Sequence, residues 1–393
     1  MKNIKIVIGT NFGDEGKGIT TDYFCKQFPK KSQVLNVRFN GGSQAGHTVV
    51  TKDGRRHVFH NFGAGSFNDN VTTYLSEYFY LDTIGYLKEK EELLQLGVRP
   101  RVIMSTSTNI ILPYDIFVNQ MVEISRDKDR HGSCGNGIWE CIQRTEKAKQ
   151  KFSPLSFRYT SVEKIKKRIL ELRDTYYTER LKEYGISVLP EYEEIWNSEQ
   201  LIINFINDVK HMIVDVILTP EHEIFKEYNN IVFEGAQGLL LDWGNRSYMP
   251  HLTASFTGLR NVEALLTNIK EPFKKEICYV TRTYFTRHGA GRFETETDKK
   301  NLRYDVNDKT NVFNVWQQSL RWGYFDLPLY IRTINKYLIY TQGKKYKLTL
   351  AITHCDETNN CFVLPDRDMP VEEIKEHLNI DNLILFSNEI TEN

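Results

Sequence analysis

Cysteine is sparse. The six cysteines (Cys25, Cys134, Cys141, Cys278, Cys355, Cys361) are scattered through 393 residues, and none form a C-x-x-C pair. Neither a disulfide framework nor a zinc site is indicated, and a soluble, reducing, cytoplasmic setting is expected. Long apolar runs are also missing. The opening Met1-Lys2-Asn3-Ile4-Lys5-Ile6-Val7-Ile8-Gly9 is too short for a signal peptide or a membrane span, and no longer run follows. There is no net charge: Lys+Arg is 51 and Asp+Glu is 51. Broad nucleic-acid binding, which needs excess cations to displace counterions, is therefore disfavoured, although a local phosphate site is not. Internal repeats and low-complexity tracts are absent. What is present is 40% hydrophobic and 12% aromatic residues, which excludes wholesale disorder. The length suits two or three ordinary domains, or one large α/β domain with insertions.

Short apolar runs at 5–9, 34–37, 101–104, 230–233 and 278–281 predict buried strands, and a sixth at 347–352 precedes a polar turn. Separated by helical patterns, they predict an α/β fold with a mainly parallel, doubly wound sheet. Ligands of such sheets bind at the carboxyl ends of the strands, so the loops there are where chemistry is expected. Residues 153–229 differ. Ile165, Ile169 and Leu172, then Leu201, Phe205, Val209, Met212 and Val216, recur at helical spacing amid charges. They predict a helical insertion within a single domain spanning 1–393. A peripheral helix and strand are expected from about 369 to 393.

The first loop, Gly9-Thr10-Asn11-Phe12-Gly13-Asp14-Glu15-Gly16-Lys17-Gly18, follows a strand and precedes a helical pattern. Glycines let backbone N–H groups surround phosphate oxygens, and Lys17 adds a positive charge. The spacing is not that of G-x-x-x-x-G-K-[ST], and Gly18 follows the lysine. Asp14 and Glu15 would repel phosphate if they were decoration, so an acid here suggests a base or a metal ligand. The bland alternative is a glycine-rich turn with solvated charges. A second loop, Asn40-Gly41-Gly42-Ser43-Gln44-Ala45-Gly46-His47-Thr48, also follows a strand. Its small residues permit close approach, and His47 is either an acid or charge stabiliser or a structural histidine.

Together these loops resemble those of the adenylosuccinate synthetases, which carry G-D-E-G-K-G and then N-A-G-H-T; here these are Gly13–Gly18 and Gln44–Thr48. Phe233-Glu234-Gly235-Ala236-Gln237-Gly238 and Thr281-Arg282-Thr283-Tyr284-Phe285-Thr286-Arg287-His288-Gly289-Ala290-Gly291 follow in the family's order. The resemblance runs from Ile6 to about Asp356. It implies a ligase: a nucleoside triphosphate phosphorylates O6 of a purine 5'-monophosphate, and the amine of L-aspartate then displaces that phosphate. By resemblance, Asp14 is the base that removes the purine N1 proton. Lys17, His47 and Mg2+ neutralise the phosphoryl group, and Gln237 holds the base near O6. Gly13, Glu15, Gly16, Lys17, Gly18, Gly46, Thr48 and Asp356 fall at triphosphate-binding positions. Asp14 and the Gly46 carbonyl fall at metal-ligand positions. Gln44, Ser133, Cys134, Arg144, Gln237 and Thr253 fall at acceptor-nucleotide positions, with Arg144 implied to reach across a homodimer interface.

The sequence departs from the family in four places. Cys134 stands where a threonine is usual and Asn136 where an arginine is, and Cys134 reads as a packed residue rather than a reactive thiol. His354 in Thr353-His354-Cys355-Asp356 replaces a lysine that would cover the triphosphate's base, so both GTP and ATP are kept as donors. The run from Asn311 to Asp326 replaces an arginine-rich loop that clamps aspartate; only Arg321 survives, leaving Arg321, Arg287 and Arg292 as candidates for its carboxylates. Finally, Arg287-His288-Gly289-Ala290-Gly291 and the Trp316 to Arg321 stretch resemble short, viral-type 2-aminoadenylosuccinate synthetases, which act on dGMP. Some of those replace the first-loop aspartate with serine, whereas Asp14 is present here, and Gln44 stands for an asparagine. IMP and dGMP both remain as acceptors, and a virally encoded chain would work in its host's cytoplasm. A catalytically silent nucleotide-binding protein is the competing expectation. A regulatory GTPase switch is weaker, because no Ser or Thr follows Lys17.

Overall fold

The computed structural model describes residues 1–308, 310, 311, 313, 315–341 and 343–387. Val312 and Asn314 of the divergent run, and the tail after Ser387, lie outside the described residues.

Nine strands form the central sheet, here numbered within it: β1 (Lys2–Gly9), β2 (Val34–Arg38), β3 (Val71–Leu75), β4 (Arg101–Met104), β5 (Ile217–Leu218), β6 (Asn230–Gly238), β7 (Phe273–Arg282), β8 (Lys347–Thr353) and β9 (Asn382–Leu385). Their order is β9-β8-β7-β1-β6-β2-β3-β4-β5, and every pairing is parallel. All six runs expected as strands lie in this sheet.

Strands covered on both faces have no solvent side, so they read as continuous apolar runs. On one face Ile4, Ile6 and Ile8 of β1 join Phe233, Ile277, Leu350 and the helices Leu259–Leu266 and Leu327–Leu338. On the other, Val7, Val232 and Val280 pack with Ile19 and Phe24 of the helix Lys17–Lys26. Each fully buried side chain of this kind contributes about 1.5–3 kcal/mol.

Residues 153–229 are largely helical, including Val162–Leu172 and Glu199–Val214. Ile165, Ile169 and Leu172 form one apolar stripe. It meets Ile202, Phe205, Ile206 and Val209 in a second core that also takes Leu75 and Met104. Within this stretch β5 returns to the sheet and pairs with β4. Near the end of the chain a short 3-10 helix, Val371–Glu376, precedes β9.

Candidate active site

Five adjacent strands, β8, β7, β1, β6 and β2, end at one edge of the sheet, and the residues that follow them line a cavity of about 450 Å³. β1 delivers Gly13 to Gly18. The loop after β2 delivers Gln44, Gly46, His47 and Thr48. β6 brings Gln237 next to its last residue, β7 ends with Arg282, and β8 ends with Thr353, followed by His354. This is where a doubly wound sheet places its ligands.

The first loop turns through left-handed backbone at Gly13 (φ 96°), Asp14 (φ 56°) and Gly16 (φ 91°). Glu15 is thereby folded inward. Its Oε1 accepts from the N–H groups of Thr10 at 3.0 Å and Asn11 at 2.5 Å, while Oε2 is buried without a partner. Burial raises its carboxyl to about 7, against the pull of Lys17. Lys17 is itself buried at the start of the helix Lys17–Lys26. Burial lowers its ammonium, and Glu15, Asp14 and Glu234 oppose that. Gly18 explains the unusual motif. A Cβ there would lie 2.9 Å from the carbonyl carbon of His47 and 2.9 Å from the Thr48 oxygen. The absent side chain lets the two glycine loops touch.

His47 hydrogen-bonds through Nδ1 to Oε1 of the buried Glu234, and its Nε2 is buried without a partner. Burial lowers the imidazole to about 4 in spite of that carboxylate. Glu234 also accepts from Asn36 Nδ2 at 2.9 Å and from the Ala64 N–H at 3.0 Å. Burial pushes its carboxyl up, but Arg38 and His47 together hold it below the usual range. The carboxylate therefore fixes the ring with Nδ1 protonated and Nε2 bare.

The structure separates the other sequence candidates. Ser133 and Cys134 lie outside the cavity lining; Ser133 Oγ donates to Asn119 Oδ1 at 2.9 Å, and burial pushes the Cys134 thiol up to about 11. Thr253 donates its N–H to Leu241 O at 3.0 Å, and Asp356 is exposed at the start of a short 3-10 helix after β8. Arg144 corrects the expectation directly. It is fully buried, with Nε and Nη2 on Asp115 at 3.1 and 2.9 Å and Nη2 also on Ile110 O at 3.0 Å. Tyr177 completes the network by donating to Asp115 Oδ1 at 2.7 Å. In this chain the guanidinium is enclosed by partners of its own chain rather than presented at the surface.

The three candidate aspartate arginines do not converge on the cavity. Arg287 is buried over the Phe12 ring and donates to the carbonyls of Arg292 (2.6 Å) and Ala290 (2.8 Å). Burial, and then Arg321, lower it to about 10. Arg292 is exposed and pairs with Glu294 at 2.8 Å. Arg321 pairs with Glu296 and donates to Gly291 O at 2.8 Å. It lines a separate groove of about 780 Å³ with Arg130, and Gln317 borders both spaces.

Four residues in or behind the cavity had been given no role from sequence. Glu234 orients His47. Arg282 donates Nε to the Asp14 carbonyl and Nη2 to Asp308 at 2.5 Å. Asp308 in turn holds the N–H groups of Thr310 and Asn311 at 2.9 and 2.8 Å. His288 lies with Nδ1 3.7 Å from Asp14 Oδ2. The available signal was an acid inside an apolar strand run, and charged residues at a strand's carboxyl end.

A parallel sheet whose first loop wraps a buried lysine, with an acid and a histidine facing the same space, defines an α/β protein built to handle phosphate groups. The chain belongs to the adenylosuccinate synthetase family. The family model of that description matches residues 6–358. The chain is 31% identical over 303 residues to the adenylosuccinate synthetase of Mesoplasma florum, which covers 75% of this chain and 65% of that protein. It is 30% identical over 351 residues to the enzyme of Alcanivorax borkumensis, covering 85% and 74%. In fold it is similar to the fully ligated adenylosuccinate synthetase of Plasmodium falciparum (TM-score 0.69, 20% identity, 90% of this chain and 77% of that one). It is also similar to the succinoaminodeoxyadenylate synthetase of cyanophage S-2L, solved with dGMP and with dATP as an energy donor (TM-score 0.61, 14% identity, 100% and 94%).

Proposed function

We propose that this protein is a C–N bond-forming ligase that joins L-aspartate to C6 of a purine 5'-monophosphate, IMP or dGMP, at the expense of GTP or ATP. The observation that carries the reading is the meeting of Asp14, Lys17, His47 and Gln237 in one cavity. Family membership supports it.

Each side chain has a task its surroundings suit. The Asp14 carboxylate takes the purine N1 proton, so that O6 becomes the nucleophile. Attack by O6 on the γ-phosphorus breaks the bond to the β-phosphate oxygen and leaves a nucleoside diphosphate and a 6-phosphoryl purine. Lys17 and the helix N-terminus behind it offset the charge of the phosphoryl group in flight. His47 meets that group through Nε2 once the ring takes a second proton, and Glu234 stabilises the resulting imidazolium. The amine of aspartate then adds at C6, and the phosphate leaves with the C6–O bond. Gln237 orients the base.

Among the described residues, no three His, Cys, Asp or Glu side chains cluster to hold a metal by themselves. Mg2+ ordinarily takes one or two carboxylates and completes its shell with phosphates and water. Asp14 and the Gly46 carbonyl, both on the cavity wall, fit that requirement. When bound there, the ion would neutralise phosphate charge. For the carboxylates of aspartate, Arg321 and Arg130 in the adjoining groove are the cations at hand. A homodimer enters this reading through family membership, and Arg144 has no part in it.

The test is a product assay with Mg2+, aspartate, GTP or ATP, and IMP or dGMP in separate reactions, read by mass spectrometry. A succinyl nucleotide is expected. Its absence from every combination would overturn the reading in favour of a silent nucleotide-binding protein. Asp14→Asn is expected to abolish product while leaving triphosphate binding, followed with a fluorescent nucleotide, within about threefold of the parent.

A further inference from the structure

Arg130 and Arg321 line the groove beside the cavity, and Gly289, Ala290 and Gly291 form part of its wall. The arginines near that wall differ in what their donors already do. Arg321 donates from Nε to Glu296 Oε1 at 2.8 Å and from Nη2 to Glu296 Oε2. Its Nη1 donates to the carbonyls of Gly289 (3.1 Å) and Gly291 (2.8 Å). Arg287 holds the alternate carbonyls, those of Ala290 and Arg292. Four successive carbonyls of one turn are thus gripped by two guanidinium groups. Of the five N–H groups of Arg321, a single one on Nη2 is left, too few for a carboxylate to engage it side-on. Arg292 is exposed and points its Nε at Glu294.

Arg130 is different. Its Nη1 donates to the Val315 carbonyl at 2.8 Å, and its guanidinium carbon lies 6.0 Å from the centre of the Trp316 ring. Val315 also lines the groove, so these contacts set the charged end of Arg130 against the groove wall. Its Nε is buried without a partner. Among the described residues, its Nη2 makes no hydrogen bond and no carboxylate pairs with it. Nε and Nη2 form an edge that a carboxylate engages with two parallel hydrogen bonds. A guanidinium keeps its charge throughout the working pH range. A buried donor and an unmatched positive charge on a groove wall call for an anionic acceptor.

We infer that Arg130 binds a carboxylate of the amino-acid substrate through Nε and Nη2, and that Arg321 and Arg287 are positioning residues that hold the turn at 289–292. The inference rests on the ligase reading given above and decides between the two cations named there. Gln317 borders both groove and cavity, so an amino acid held at Arg130 lies in a space that adjoins the nucleotide's.

The experiment follows initial rates against aspartate at saturating nucleotides and Mg2+. It also follows L-aspartate binding by calorimetry, with the acceptor nucleotide and a nucleoside diphosphate present. Arg130→Met should raise the KM for aspartate about 10- to 150-fold. Its kcat at saturating aspartate and its KM for the triphosphate should stay within about threefold of the parent's. Arg130→Lys keeps the charge and loses the fork, so it should raise the aspartate KM at least about threefold. It carries the test if the methionine variant does not fold. Glu296→Gln loosens the side-on edge of Arg321 and should leave the aspartate KM within about twofold. An aspartate KM unchanged in either Arg130 variant overturns the inference and leaves the ligase reading standing. So does a KM that falls several-fold in Glu296→Gln, which would assign the carboxylate to Arg321. A parent that binds aspartate without forming product, and loses that binding in Arg130→Met, supports the site while the ligase reading fails. A parent that neither binds aspartate nor forms product overturns both.

Discussion

Replacing Glu234 by glutamine isolates what the buried carboxylate does for His47. The side chain keeps its shape, and its oxygen can still accept from Asn36 Nδ2 and the Ala64 N–H, now at 2.9 and 3.0 Å. The amide NH2 then faces His47 Nδ1, which must accept rather than donate, so the ring proton moves to Nε2. The hydrogen bond lost is charge-assisted and buried, a class worth about 1.5–3 kcal/mol. The imidazolium needed opposite the phosphoryl group loses about that much support, which lowers kcat by about 10- to 150-fold. KM for the triphosphate should change little, since the ground state meets Lys17 and the loop N–H groups unaltered. Arg38 also loses its counter-charge, and its Nε and Nη2 are buried without partners, so the variant should be less stable. Initial rates by mass spectrometry give kcat, and 15N NMR of labelled histidine reads which nitrogen is protonated. A folded variant whose kcat stays within about twofold of the parent would refute the reasoning. So would a ring that keeps its proton on Nδ1.

Glu15 and His47 make opposite contributions to stability as pH changes. The Glu15 carboxyl is raised to about 7 from 4.5, so the folded state binds the extra proton and stability falls as pH rises between those values. His47 is lowered to about 4 from 6.5, so the unfolded state binds the extra proton and stability rises with pH across that window. Each term amounts to about 3 kcal/mol, so they largely cancel in the parent. Denaturant unfolding at stepped pH should show Glu15→Gln gaining stability from pH 4 to 6.5 and His47→Gln losing it from 4.5 to 7; parallel curves would contradict both assignments. Arg144→Met should lower stability by about 3–5 kcal/mol, because it leaves Asp115 buried and unpaired. Light scattering should find its oligomeric state unchanged from the parent's, and a change of state with normal stability would restore an interface role.

The runs at 5–9, 34–37, 101–104, 230–233, 278–281 and 347–352 were readable because both faces of this sheet are covered, which makes each strand uniformly apolar. β3 was not, since Val71-Thr72-Thr73-Tyr74-Leu75 carries two threonines that look solvated but are buried. β5 is two residues long and sits among helices, too brief for any periodicity. At the site, both glycine loops announced themselves, because close phosphate approach demands small residues in a row. The interface role expected for Arg144 came from family resemblance alone, and nothing in the local sequence signals its burial. Only the fold reveals that Asp115 and Tyr177 lie across from it. Glu234 was hidden inside a motif, and its role depends on β2 and β6 lying side by side.

The parallel register acts as a ruler for the chemistry. Gly9 stands opposite Val280 and Gly238, Glu234 opposite Arg38, and Arg282 opposite Thr353. A slip of one residue in any of these strands would displace its terminal group by about 3.3 Å and turn its side chains to the opposite face. Insertions and deletions are therefore barred from the stretches between the first residue of each strand and its cavity group. Length can vary at the far edge of the sheet and in the helical excursion between β4 and β6, where nothing is measured against β1. Chains of this family that differ widely in size can in this way keep one set of spacings at the site.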